Sequence, residues 1–122
     1  MHTLISNTDD HPRNHAVVAM DTAWKLSPAY DLTPSTPISA DHRDLALECG
    51  DLGRFANAEN LVTQCARFYL TEEEAKGIID EMEATVTNNW YSVARREGVT
   101  EKDCEKIAAA FAYPGFRLEA AA

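Results

Sequence analysis

The sequence predicts a mainly α-helical protein with one small β-hairpin. Apolar residues recur at helical spacing through much of residues 57–113, which indicates amphipathic helices. Two short apolar runs, 15–20 and 23–28, flank the turn-forming pair Asp21-Thr22 and indicate the hairpin. The chain contains no internal repeats, so we expect one hairpin and loop region packed on three helices.

The longest predicted helix has the clearest ends. Thr71 and Glu74 have the spacing of a capping box, in which each side chain bonds the other residue's backbone N–H. Gly98 is placed just after the last turn, because glycine readily adopts the left-handed conformation that ends many helices. We expect one apolar stripe of this helix to face the core, comprising Ala75, Ile78, Ile79, Met82, Val86, Trp90 and Val93.

Shorter helices are predicted on both sides of the long one. The upstream helix follows from an apolar face within residues 57–70, and Thr100 caps a downstream helix over residues 101–112. Residues 31–44 are rich in proline and hydroxyl side chains and are predicted to be a loop. The next segment, 44–49, fits either a short strand or a loop.

The chain is interpreted as a single domain, 1–122. Its 122 residues, 45% of them hydrophobic, suffice for one modest core. Within the domain we distinguish a loop and hairpin region, 1–56, a helical region, 57–113, and a tail, 114–122.

Charge and composition exclude several classes of function. A net charge of −9 disfavours direct binding to nucleic acid or to an anionic membrane surface. No signal peptide is visible, and no apolar run reaches the ~18 residues of a membrane span, so we expect a cytoplasmic protein. Cys49, Cys65 and Cys104 are widely spaced, which argues against a zinc or disulfide framework.

The densest polar cluster of the chain is SNTDDHPRNH, residues 6–15. Asp9 precedes Asn14 by five residues there, and Asp31 follows the predicted hairpin in SPAYDL. A carboxylate free of metal can accept a proton from an attacking hydroxyl, whereas an amide oxygen and a second carboxylate suit Mg²⁺. These residue types are therefore the ones that metal-assisted phosphoryl transfer requires, although a lone loop Asp or Asn most often caps a turn.

Histidines offer a different kind of metal site in the same segment. His11 and His15 stand four residues apart, the spacing of two ligands on one helical turn, but Pro12 argues against a helix there. We expect His15 and His42 to be surface or turn residues and His2 to be disordered.

The polar residues have the order found in protein kinases, where Asp-x-x-x-x-Asn of the catalytic loop precedes a metal-binding Asp. Two segments, NTDDHPRNH at 7–15 and LSPAYDLTPS at 26–35, resemble the C-terminal part of the HipA-like serine/threonine kinases. These kinases are the bacterial toxin component of HipA/HipB-type toxin–antitoxin systems. Weaker similarity continues through EEEAKGIIDEMEATVTNNWYSVARREGV, whereas the His-Arg and the final Gly of the general kinase motifs are absent.

The resemblance implies a fold and a set of residue roles. The fold would be part of a protein-kinase-like C-lobe. Asp9 would be the catalytic base, and Asn14 and Asp31 would hold Mg²⁺ beside ATP. Three further residues would order the loop or contact phosphate, namely Asn7, His11 and Arg13.

The resemblance also implies that other parts of a kinase are needed. The five glycines are isolated, and neither a glycine-rich phosphate loop nor the lysine-bearing strand of a kinase N-lobe is found. We therefore expect negligible kinase activity from this polypeptide alone, and ATP-dependent transfer only beside a separate N-lobe protein. The alternative is a noncatalytic remnant or interaction module that binds an antitoxin or a kinase. Exposed apolar surface would favour a homo-oligomer.

Overall fold

The computed structural model describes residues 1–35 and 39–119, and the fold is mainly α-helical with one small hairpin, as predicted. Strand β1, Val17–Met20, pairs antiparallel with strand β2, Ala23–Leu26, and Val17 lies opposite Leu26. Asp21 turns the chain with a φ of 53°, a conformation that aspartate tolerates better than most residues. Every residue of both strands is exposed. The expectation that the hairpin packs on the helices is therefore wrong.

The first helix is shorter than predicted. Helix α1, Ala58–Val62, is followed by a 3-10 turn, Cys65–Phe68, rather than by further α-helix. Thr63 Oγ1 donates to the carbonyl of Asn60 at 2.6 Å and accepts from the backbone N–H of Asp51 at 2.8 Å. Such side-chain bonding competes with the helical backbone pattern and explains the early end.

The ends of the long helix are confirmed. Helix α2, Glu72–Arg96, begins with both bonds of the Thr71 and Glu74 capping box, at 2.8 and 3.2 Å, and Gly98 follows with a φ of 90°. The apolar stripe is only partly covered: Ala75 and Val86 are buried, whereas Ile78, Met82 and Val93 remain about 40% exposed.

The last helix is also shorter than predicted. Helix α3, Glu101–Ile107, is capped by Thr100 as expected but continues as a 3-10 turn, Ala108–Ala110. A further 3-10 turn spans Pro114–Phe116.

The core joins the start of the chain to its end. Leu4, Tyr113 and Phe116 are each at most 2% exposed, and Val86 reaches them from α2. Gly115 allows this close packing, because a Cβ added there would lie 2.1 Å from the carbonyl oxygen of Asp41. Segment 44–49 forms no strand; Asp44 makes an isolated bridge to Phe55. Within the described ranges, no helix combines the length and apolar character of a membrane span.

Candidate functional site

Residues 7–15 form an irregular loop that contains one 3-10 turn, Pro12–Asn14. Proline at the first position of this turn costs no hydrogen bond, because that N–H would have no partner within the turn. The backbone N–H of Asn14 donates to the carbonyl of His11 at 2.9 Å, and Asn14 Oδ1 accepts from the His11 N–H at 3.2 Å. These two bonds hold the Asn14 side chain, which is 9% exposed, in one orientation.

The structure brings Asn14 and Asp31 into contact. Asn14 Nδ2 donates to Asp31 Oδ2 at 2.9 Å, across the intervening hairpin. Because Nδ2 faces a carboxylate and Oδ1 faces an N–H, the two ends of the amide are distinguished by their partners. The amide oxygen keeps one lone pair, and Asp31 Oδ1 has no hydrogen bond within the described residues. Both are hard oxygen donors, a pair that fits Mg²⁺ better than a softer metal.

The loop of Asp31 is fastened to the loop of residues 6–15 on both sides of Asp31. Asp31 has a φ of 55°, and its carbonyl accepts from Asn7 Nδ2 at 3.4 Å. The Tyr30 hydroxyl donates to the carbonyl of Arg13 at 2.6 Å. Further along, the Ser35 N–H donates to the carbonyl of Ser6 at 2.9 Å. Asn7 therefore contributes a hydrogen bond between the two loops, and Tyr30 adds a contact that the motif alone did not assign.

The remaining predicted site residues differ in their surroundings. Asp9 is exposed and makes no hydrogen bond or ion pair to any residue that the structure describes, so Asn14 and Asp31 meet without it. Arg13 is exposed as well, and its guanidinium has no ion-pair partner in the described ranges. His11 is partly buried, and its Nδ1 is a buried atom without a hydrogen-bond partner among those residues.

Ser6 ties the loop to the core, a role that sequence reasoning missed. It is 2% exposed with a φ of 54°, donates through Oγ to the carbonyl of Ala110 at 2.6 Å, and accepts from Arg43 Nη1 at 2.6 Å. Arg43 in turn lies 4.2 Å above the ring of Tyr113, and burial lowers the pKa of this guanidinium. No local pattern predicts these contacts, because each joins residues far apart in the sequence.

A second polar cluster, defined here as the histidine cluster, comprises His2, Asp10 and His15. His2 Nε2 lies 3.4 Å from Asp10 Oδ2, and His15 Nε2 lies 2.7 Å from Asp10 Oδ1. The two imidazole rings meet edge to face, with centroids 5.8 Å apart. Burial lowers the pKa of His2, and the nearby Asp10 carboxylate opposes that effect. His2 thus has a defined place, contrary to expectation, and His15 pairs with it rather than with His11.

Comparison with known proteins identifies the family. The family model of the HipA-like C-terminal domain matches residues 1–90, which include both loops of the site, the hairpin and most of α2. A search of curated proteins and a search of solved structures found no match. Because the matched residues are well over half of the 122, the chain belongs to the HipA-like C-terminal domain family.

Proposed function

We propose that this chain supplies the catalytic loop and the metal-binding side chains of a HipA-like serine/threonine protein kinase. It would transfer a phosphoryl group from ATP when an N-terminal lobe holds the nucleotide beside it. The observation that carries this proposal is the 2.9 Å contact between Asn14 Nδ2 and Asp31 Oδ2. In the kinase order of motifs, these are the two positions that hold the metal.

The oxygen atoms of this pair fit a hard cation. Mg²⁺ would be held by Asn14 Oδ1 and the Asp31 carboxylate, and when bound it would neutralise charge on the phosphates. Asn7 and Tyr30 fix the loop of Asp31 on the loop of Asn14, and this fixation would maintain the spacing of the two ligands.

Asp9 is proposed as the catalytic base. Its carboxylate is exposed and unpaired within the described residues, so a serine or threonine hydroxyl can approach it. In this role Asp9 orients the hydroxyl and accepts its proton as the bond to phosphorus forms. Arg13, an exposed cation on the same loop, would contact phosphate.

Metal binding by the isolated chain tests the site directly. Mn²⁺ is a suitable probe, because it prefers the same oxygen ligands as Mg²⁺ and broadens NMR signals near it. In ¹H–¹⁵N spectra, we expect Mn²⁺ to broaden the amide signals of Asn14 and Asp31 first. Asp31→Asn should weaken this broadening at least tenfold in Mn²⁺ concentration.

Asp21→Asn is the matched control for this experiment. Asp21 is also an exposed loop aspartate with positive φ, at 53° against 55° for Asp31, but it lies at the far end of the hairpin. We expect this variant to behave as the parent chain. Equal broadening in the Asp31→Asn variant and the parent would contradict the proposed metal site, as would broadening centred on Asp21.

Calorimetry with Mg-ATP tests the need for an N-lobe. The sequence offers no glycine-rich phosphate loop, so we expect the chain alone to give no saturable binding in the micromolar range. Saturable binding at such concentrations would show that the nucleotide pocket is complete without another lobe.

An interaction module is the second candidate function, and the exposed hairpin favours it. Trp24 and Leu26 on β2 are 71% and 76% exposed, and Val17 and Met20 on β1 are more than half exposed. Such an apolar surface suits contact with an antitoxin, a kinase lobe or a second copy of the chain. Sedimentation of the parent chain and of Trp24→Ser across a concentration series distinguishes self-association from binding to an antitoxin or a kinase lobe. Tyr69→Ser is the control, because Tyr69 is an exposed aromatic residue outside the hairpin.

A further inference from the structure

We propose that the histidine cluster is a second cation site, which binds a transition metal such as Zn²⁺ through His2, Asp10 and His15. The inference does not rest on the proposed kinase function, because none of these three residues is among the Mg²⁺ ligands or the catalytic base.

The positions of the donor atoms fit a small coordination sphere. One ligand atom from each of the three residues can be chosen so that all lie within 4.8 Å of one another. Zn²⁺ holds nitrogen and oxygen ligands at about 2.0–2.2 Å, which places tetrahedral ligands roughly 3.3 Å apart. The Asp10 carboxylate lies 3.4 Å from His2 Nε2 through Oδ2 and 2.7 Å from His15 Nε2 through Oδ1, so both imidazoles lie close to it.

Asp10 pairs with both imidazoles of the cluster. Its side chain is 14% exposed, and the Met1 ammonium also acts on it electrostatically. Because that ammonium is nearby, protonating both histidines would gather three cations around one carboxylate. A divalent metal replaces both protons and binds neutral imidazole, the form that burial already favours at His2.

The two imidazoles can be reached from a cavity and offer a separate chemistry. His2 and His15, but not Asp10, line a cavity of about 140 Å³ together with Asn14. Imidazole nitrogens select Zn²⁺, Co²⁺, Ni²⁺ or Cu²⁺, whereas the oxygen atoms of Asn14 and Asp31 select Mg²⁺ or Mn²⁺. The two neighbouring sites are therefore distinguished by the metals they bind.

Asn7 couples the histidine cluster to the loop of Asp31. Its Nδ2 lies 3.0 Å from His2 Nδ1 and donates to the carbonyl of Asp31 at 3.4 Å. A His2 that binds metal through Nε2 carries its proton on Nδ1, which then requires an acceptor. The Asn7 amide must turn to present its oxygen, and the bond to Asp31 is then lost. Metal loading should therefore shift the backbone signals of Asp31 without a ligand at Asp31 itself.

Titration of the tag-free chain with Zn²⁺ by calorimetry tests the proposal, with Co²⁺ absorption as a second readout of nitrogen ligation. We expect one equivalent of Zn²⁺ to bind, and His2→Ala and His15→Ala each to weaken binding at least tenfold. His42→Ala is the matched control, because His42 pairs with Asp44 at 2.9 Å but has no second histidine beside that carboxylate. Cys49→Ala controls for thiol binding, although burial raises the pKa of that thiol and so disfavours the thiolate.

The outcomes separate this site from the proposed kinase site. Zn²⁺ binding that survives Asp31→Asn but not His15→Ala supports the histidine cluster, whatever the Mn²⁺ experiment shows. Zn²⁺ binding that is absent, that persists in both histidine variants, or that is lost in Cys49→Ala or His42→Ala overturns it. If a histidine variant fails to fold, imidazole NMR signals of the parent chain decide instead: Zn²⁺ must shift those of His2 and His15 and spare that of His42.

Discussion

Two asparagines that each hold two chain segments together define two different regions of this molecule. Asn57, fully buried, accepts through Oδ1 from the backbone N–H groups of Glu59 and Asn60 and donates through Nδ2 to the carbonyls of Gly115 and Leu118. Asn14, at the edge of the loop region, also uses both ends of its amide, but Nδ2 donates to the Asp31 carboxylate.

The two asparagines differ in their hydrogen-bond partners and in the lone pairs that remain without a partner among the described residues. The partners of Asn57 are all backbone groups, so its hydrogen bonds serve only to cap α1 and to hold the segment 115–118 against it. Asn14 places Nδ2 against the exposed carboxylate of Asp31 and keeps one lone pair on Oδ1. The same residue type thus stabilises the fold in one region and is proposed to hold a cation in the other. Substituting each asparagine measures how far these two roles are separate.

Asn57→Ala is expected to have the largest effect on stability. It removes the cap of α1 and leaves the buried carbonyl of Gly115 without its donor, which together cost about 2–4 kcal/mol in the free energy of unfolding. Chemical denaturation followed by circular dichroism measures this loss. Asn88→Ala, an exposed position within α2, is the matched control and should change stability by less than about 0.5 kcal/mol. Equal stability of the two variants would contradict the structural role of Asn57.

Asn14→Ala should reduce stability less than Asn57→Ala does, and it should reduce metal binding more. Its hydrogen bonds lie in a loop region close to solvent, so their loss is expected to cost about 1 kcal/mol. The same variant should abolish the Mn²⁺ broadening at Asp31, whereas Asn57→Ala should leave that broadening intact under conditions where the variant is folded. If Asn14→Ala destabilised the chain as strongly as Asn57→Ala, the loop would be part of the core structure and not a separate site.

Local signals in the sequence predicted the elements whose ends depend on neighbouring residues. The hairpin, the Thr71 cap, the Thr100 cap and the position of Gly98 are of this kind, and the structure confirms them. The early end of α1 could not be predicted, because it depends on a bond between Thr63 and Asp51, twelve residues away. The exposure of both strands could not be predicted either. It depends on tertiary packing, which the alternation of residues does not encode.

The residues of the candidate site also fall into those that the sequence predicted and those that depend on distant segments. The order of the motifs predicted that Asn14 and Asp31 lie close together, because these two positions of the kinase pattern serve one metal. The histidine cluster was not predicted, since His2 reaches Asp10 only through the turn at the start of the chain. Ser6 and Arg43 were missed for the same reason: their burial depends on segments near Ala110 and Tyr113.

Glu74→Gln should have the smallest effect, one visible only in the dependence of stability on pH. The bond from the Thr71 backbone N–H lowers the pKa of Glu74 below its ordinary value of 4.5. Because the folded pKa is the lower one, the stabilisation is present in full above pH 4.5 and is lost as the pH falls through the folded pKa. The unfolding free energy of the parent should therefore fall more steeply than that of Glu74→Gln below pH 4.5. Glu73→Gln removes the same charge from the same helical turn without touching the cap, so its profile should keep the parent's slope. Parallel profiles for the parent and Glu74→Gln would mean that the capping bond does not depend on the charge of the carboxylate.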